Sequence, residues 1–273
     1  MDVGSTFGAP VTNHFGFAPA PIPMSDDLIL ETRDLAKEFR GFLAVNGVSL
    51  RVRRGVIHGL IGPNGAGKTT VFNLLTRFLP VTRGTILHRG EDVTHLPPAQ
   101  VARRGVVRSF QISAVFPSLT ALENVRIALQ RQLGNSFRFW APSRSLSVLD
   151  DRARALLADV DLDKLAAVPA GELPYGRKRA LELATTLALE PEVLLLDEPT
   201  AGMGHEDVGR VAELIKRVAK GRTVLMVEHN LSVVSDLCDT ITVLARGSVL
   251  AEGTYAEVSA DPAVREAYIG SAA

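Results

Sequence analysis

The chain has 273 residues with 30 basic and 30 acidic side chains, so its formal net charge is zero, which argues against a surface built for nucleic acid. With 46% hydrophobic and 22% charged residues it is too apolar for a disordered chain, and its length suits one large folded domain with a small subdomain. The single cysteine, Cys238, sits in a helix-like apolar stretch and has no internal disulfide partner, as in a cytosolic protein. Residues 1–27, rich in Gly, Ala, Pro and Phe without period, lack the basic start and apolar stretch of a secretory signal. They read as a flexible leader, with Met24 a candidate start. No window reaches the roughly 18–20 continuous apolar residues of a membrane span, so work at a membrane requires another chain to supply it.

From Leu28 the pattern turns to short alternating stretches, Leu28 to Thr32 and Val48 to Arg53, which predict a small antiparallel edge subdomain. Val56 to Ile61 is a buried strand, followed by a Gly-rich turn and a helix with Val71, Leu74, Leu75 and Phe78 on one face. The middle, about Leu119 to Leu165, is helical and broken by Gly134 and Pro142, giving a helical subdomain over about 112–180 within a domain over 28–270 and a tail over 271–273. After Pro174 a helix carrying Ala180, Leu183, Ala184 and Leu187 precedes the all-apolar strand Val193 to Leu196. The alternation repeats with Val211, Leu214, Ile215 and Val218, then the strand Thr223 to Val227. Helices alternating with fully apolar strands predict an α/β fold whose parallel sheet is covered on both faces.

Between that first buried strand and its helix stand Gly62, Pro63, Asn64, Gly65, Ala66, Gly67, Lys68, Thr69 and Thr70. They fit G-x-x-x-x-G-K-[ST], the P-loop, whose backbone N–H groups cradle phosphates at a helix start. The glycines permit close backbone approach, the Lys68 ammonium reaches the terminal phosphates, and the Thr69 hydroxyl ligates Mg²⁺. Asp197 and Glu198 close an apolar strand at the end where α/β sheets bind ligands. Asp197 is thereby assigned to Mg²⁺ and Glu198 to polarising the attacking water.

These residues resemble the nucleotide-binding subunit of an ATP-binding-cassette (ABC) transporter, over nearly the whole chain from about Leu28 to Gly270. The resemblance implies an ABC ATPase core with an antiparallel β edge subdomain and a helical subdomain. It further implies that Phe39 stacks on adenine, that Gln111 touches Mg²⁺ and water, and that His229 contacts the γ-phosphate. Two such subunits would sandwich two ATP molecules, on the cytoplasmic face of a membrane beneath integral-membrane permease subunits. An extracytoplasmic solute-binding protein would act indirectly. The segment from Gln111 to about Leu133, with Phe110, Val115, Phe116 and Leu119, would present the permease groove.

The signature loop departs from the family pattern Leu-Ser-Gly-Gly-Gln, reading Leu173, Pro174, Tyr175, Gly176, Arg177. Pro174 lacks the serine hydroxyl that reaches the opposite subunit's γ-phosphate, while Gly176 keeps the backbone approach and Arg177 offers charge. A composite site using this loop is expected to be weaker by about 2 kcal/mol. Within the family the likeness is to ATPases of branched-chain amino acid importers, carried by Thr69 to Asn73, Gly105 to Gln111 and the tail Asp261 to Gly270. Urea and short-amide importer ATPases remain open, as does a soluble, non-transport ABC ATPase. An efflux or lipid-exporter ATPase fits the tail and signature loop less well. Homodimer and heterodimer are both compatible, and the Pro174 loop points toward a heterodimer.

Overall fold

The computed structural model describes residues 27–109, 115–133 and 148–269. The expected leader through residue 26 and the tail at 271–273 lie outside them. Eleven strands are found among the described residues: β1 (Leu28–Phe39), β2 (Phe42–Val48), β3 (Arg51–Arg53), β4 (Ile57–Ile61), β5 (Arg83–His88), β6 (Glu91–Asp92), β7 (Val106–Ser109), β8 (Val193–Asp197), β9 (Thr223–Val227), β10 (Thr240–Ala245) and β11 (Ser248–Gly253). They form two sheets. One has the order β11-β10-β4-β9-β8-β7, parallel throughout except for β11, and the other is antiparallel with the order β2-β1-β5-β6 and β3 also on β1.

The central strands are apolar because both of their faces are buried. On β8, Leu194 and Leu196 join a core shared with the helical subdomain, whereas Val193 and Leu195 join the core beneath the antiparallel sheet. On β9, Val224 and Met226 take the first side and Leu225 and Val227 the second. A strand covered on both faces favours apolar residues, and polar ones that these strands bury, such as His58 and Thr223, have hydrogen-bond partners. The register sets Leu60 of β4 opposite Val227 of β9, and Val227 opposite Asp197 of β8. The carboxyl ends of three adjacent strands are therefore level, and the loops leaving them share one edge.

The helices are α1 (Lys68–Leu75), α2 (Pro98–Arg103), α3 (Ala121–Leu129), α4 (Asp150–Asp159), α5 (Tyr175–Leu187), α6 (His205–Ala219), α7 (Leu231–Leu237), α8 (Tyr255–Ala260) and α9 (Pro262–Ile269). Among the described residues none is long and apolar enough to cross a membrane. Helix α3 starts in a capping box, Thr120 accepting from the Glu123 N–H while the Glu123 carboxylate accepts from the Thr120 N–H. Helix α6 buries Val211, Leu214, Ile215 and Val218, and carries Glu206 and Asp207 in its first turn and Lys216 and Arg217 in its last, matching its dipole.

Several elements differ from the sequence reading. The first strand runs on to Phe39 and turns back as β2, so Val48 ends a hairpin and β3 starts only at Arg51. Helix α1 ends at Leu75, because Thr76 bonds back to the Phe72 carbonyl and Arg77 takes a left-handed backbone. Phe78 is consequently outside the helix and 55% exposed, and Phe72 completes the buried face. Helix α5 runs to Leu187, as its apolar spacing predicts, and packs Leu183 and Leu187 into the core around β8. Cys238 caps α7 rather than lying within it, and burial pushes its thiol up to about 12.

The loop after β4 packs directly on the sheet. Gly62 has φ +150°, and a Cβ there would meet the Leu244 carbonyl oxygen at 2.1 Å. Gly62→Ala is expected to cost more than about 2 kcal/mol in chemical denaturation, since backbone atoms rather than a flexible side chain must yield. Unchanged stability would show that the loop can lift off β10.

Candidate active site

Strand β4 delivers the P-loop, β8 delivers Asp197 and Glu198, and β9 delivers Glu228 and His229. A cleft of about 350 Å³ is lined by Asn64, Gly65, Ala66, Gly67, Lys68, Thr69, Thr70, Glu198 and His229, with Phe42 and Ala44 from β2. Gly67 opens α1 at φ +99°, and a Cβ there would strike the Ala44 carbonyl at 2.7 Å, so β2 presses on the helix start. Only glycine fits at that closeness.

Lys68 is 6% exposed and donates to the carbonyls of Gly62 at 2.7 Å and Pro63 at 2.9 Å. Burial pulls its pKa below the ordinary lysine value, against the opposing effect of Glu198 and Asp197. The ammonium is thus parked on its own loop, with carbonyl bonds that phosphate oxygens can replace.

Glu198 takes a left-handed backbone at φ +46°, uncommon for a side chain with a Cβ, and its N–H donates to the Val227 carbonyl at 2.9 Å. Its carboxylate meets the His229 Nε2 at 2.5 Å. Arg179 of α5 supports this turn, donating to the carbonyls of Asp197 and Glu198 at 3.0 and 3.3 Å and to the Glu182 carboxylate at 2.7 Å. Glu228, 3% exposed, accepts from both the N–H and the hydroxyl of Thr200 and from the N–H groups of His229 and Asn230. It ties the loop after β8 to the loop after β9.

The structure therefore gathers Lys68, Thr69, Thr70, Glu198 and His229 around one cleft. Asp197 lies beneath it, 1% exposed, paired with Arg108. Phe39 is not among the cleft-lining residues: it is 41% exposed with the Lys37 ammonium 5.0 Å from its ring centre, and its cross-strand partner Phe42 lines the cleft instead. Pro63, half-buried in the loop, contributes its carbonyl to Lys68. Gln111 and Phe110 lie outside the described residues, while Val115 and Leu119 are half-buried and Phe116 is 52% exposed.

Tyr175, Gly176 and Arg177 stand apart from the phosphate cleft. They border a larger cavity of about 1050 Å³ between α5 and α6. Pro174 caps α5, Tyr175 donates its hydroxyl to the Ala201 carbonyl at 3.3 Å, and Arg177 donates to the Asp161 carbonyl at 2.8 Å. One chain thus holds the P-loop and the signature loop at separate places.

Residues 45–201 match the model of the ABC transporter family, and residues 248–273 match that of the branched-chain amino acid ATP-binding cassette transporter. The chain belongs to the ABC transporter family. As an ATP-binding cassette it is an ATPase. It is 41% identical over 251 residues, 89% of this chain and 98% of the relative, to the high-affinity branched-chain amino acid transport ATP-binding protein BraF of Pseudomonas aeruginosa. The same figures hold for LivG of Escherichia coli K12. The solved ADP conformation of an ATP-binding cassette from an ABC transporter superposes with a TM-score of 0.78 at 32% identity, covering 89% of this chain and 99% of that one. A nucleotide-free cassette gives 0.78 at 30% identity, with the same coverage of both chains.

Sequence reasoning missed Arg108, Arg179 and Glu228, the charges that support the site without lining it. It also missed Tyr268 of α9, whose ring packs on the cluster around Ile61 and Val243 and whose hydroxyl accepts from the Gly62 N–H. Burial raises this phenol to about 12. Because the folded chain holds the proton more tightly than the unfolded one, stability falls as pH rises from about 10 toward 12. An absorbance titration of the folded protein should show one of the three tyrosines ionising near pH 12. That step should vanish in Tyr268→Phe; its persistence would refute the assignment.

Proposed function

We propose that this ATPase powers import of branched-chain amino acids as one of two cassettes attached to integral-membrane permease subunits. It would stand at the cytoplasmic face of the membrane, with the binding protein that supplies solute on the other side. The observation that carries the chemistry is the meeting of the Glu198–His229 pair with Lys68 and Thr69 at one cleft. The solute class is supported by the named relatives and by the branched-chain cassette match over residues 248–273.

In this reading ATP phosphates displace the Gly62 and Pro63 carbonyls from the Lys68 ammonium, and the loop's N–H groups hold the remaining charge. Mg²⁺ suits the donor set, because the buried Asp197 Oδ1 has no hydrogen-bond partner and Thr69 offers a hydroxyl at the cleft. When bound, the ion neutralises charge on the phosphates. Glu198 accepts a proton from the attacking water, and His229 orients that carboxylate and reaches the terminal phosphate. Gln111 monitors the same water and ion, and Phe39 with Phe42 packs on the adenine. Tyr175, Gly176 and Arg177 face the nucleotide of the second ATPase subunit, where the missing serine hydroxyl at Pro174 weakens the contact. ATP thereby stabilises the closed pair, and hydrolysis releases it.

Glu198→Gln tests this assignment. Phosphate release should fall at least ~100-fold, the scale of a lost general base, while ATP-induced association survives in size-exclusion chromatography. Hydrolysis at the parental rate would remove Glu198 from the mechanism.

A further inference from the structure

The geometry points to Arg108 as a positioning residue for the metal–nucleotide site, one that fixes the Asp197 carboxylate and ties it to the P-loop helix. This rests on the reading above that Asp197 serves Mg²⁺. Arg108 lies on β7, opposite Leu195 of β8, with its side chain 9% exposed. One terminal nitrogen donates to Oδ2 of Asp197 and the other to Oδ1 of Asn73 at 2.6 Å. The guanidinium carbon lies 5.7 Å from the centre of the Phe72 ring, which adds a cation–π contact.

Three consequences follow from that placement. With Oδ2 held, the Asp197 carboxylate cannot rotate, and Oδ1, buried and without a hydrogen-bond partner, is the oxygen left for a cation. Asn73 lies on the same helix as Lys68 and Thr69, so one planar fork spans the two elements that must both reach the ion. The pair is also nearly dry, at 9% and 1% side-chain exposure, so its hydrogen bonds hold direction without competition from water. Outer groups that orient metal ligands in this way commonly govern metal affinity. A lysine at 108 keeps the charge but cannot grip two acceptors in one plane.

The test separates metal affinity from nucleotide affinity. ADP binding to the full chain is measured with excess Mn²⁺ and again with EDTA, and the ratio of the two affinities reads the metal's contribution. In Arg108→Lys the ratio should drop roughly 10- to 100-fold, while ADP affinity in EDTA stays within about twofold of the parent. An unchanged ratio would overturn the inference, and so would an equal loss with and without metal, which marks a purely structural role. Asp197→Asn is the control for the underlying reading: if it leaves the ratio intact, Asp197 is not a metal ligand, and that reading fails in its own right. Should Arg108→Lys lose its folded circular-dichroism signal, Asn73→Ala decides instead. That variant keeps the Arg108–Asp197 pair and removes only the tie to α1, so the ratio should fall several-fold, and no change would overturn the inference.

Discussion

Three strands buried on both faces, β4, β9 and β8, determine where every reactive group of this protein stands. Their parallel register levels Leu60, Val227 and Asp197. Each strand therefore leaves the sheet at one edge, leading into the P-loop, His229 and Glu198 respectively. The hydrophobic effect, acting on Val193 through Leu196 and on Thr223 through Val227 from two separate cores, places charged residues where apolar contacts alone would never retain them.

Those charges are stable at that edge because they are paired. Asp197 with Arg108, Arg179 with Glu182, and Glu228 with the Thr200 hydroxyl and three backbone N–H groups each replace water with a fixed partner. Among the described residues Lys68 donates to carbonyls of its own loop, and these bonds to neutral acceptors are weaker than bonds to phosphate. The contrast separates the supporting groups, whose partners are permanent, from the working group, whose partners can be exchanged. Glu198 belongs with Lys68: it occupies a costly backbone conformation and shares its carboxylate with an exposed histidine.

Much of this was legible in the sequence because it depends on local rules. The P-loop combines a spacing with a strand before it and a helix after it. The strands at 193 and 223 announce themselves by having no polar side, and Thr223–Val227 runs over the same residues as expected. The rest depends on tertiary partners. Strand β7 carries Arg108 and Ser109, and β10 carries Thr240 and Thr242, so neither reads as an apolar run, yet Arg108 is paired with Asp197 and the buried Thr242 is hydrogen-bonded to His58. The placement of Phe42 rather than Phe39 in the cleft depends on the turn between β1 and β2, and the end of α1 before Phe78 depends on the left-handed Arg77. The supporting role of Tyr268 is non-local, joining residues about two hundred positions apart, and no short motif encodes it.

The same edge bears on the proposed role beneath permease subunits, since among the described residues no helix is long and apolar enough to cross a membrane. The cleft holds the P-loop, while Tyr175 and Arg177 border a separate cavity between α5 and α6, so in the proposed assembly each nucleotide would be shared between two chains. The most direct measurement is solute uptake. The complex would be purified through this chain from solubilised membranes, reconstituted in vesicles with its binding protein outside and ATP inside, and assayed with radiolabelled leucine. ATP-dependent accumulation that is absent with ADP is the predicted result. Recovery of the chain without permeases, or vesicles that hydrolyse ATP and accumulate no branched-chain amino acid, would contradict the account.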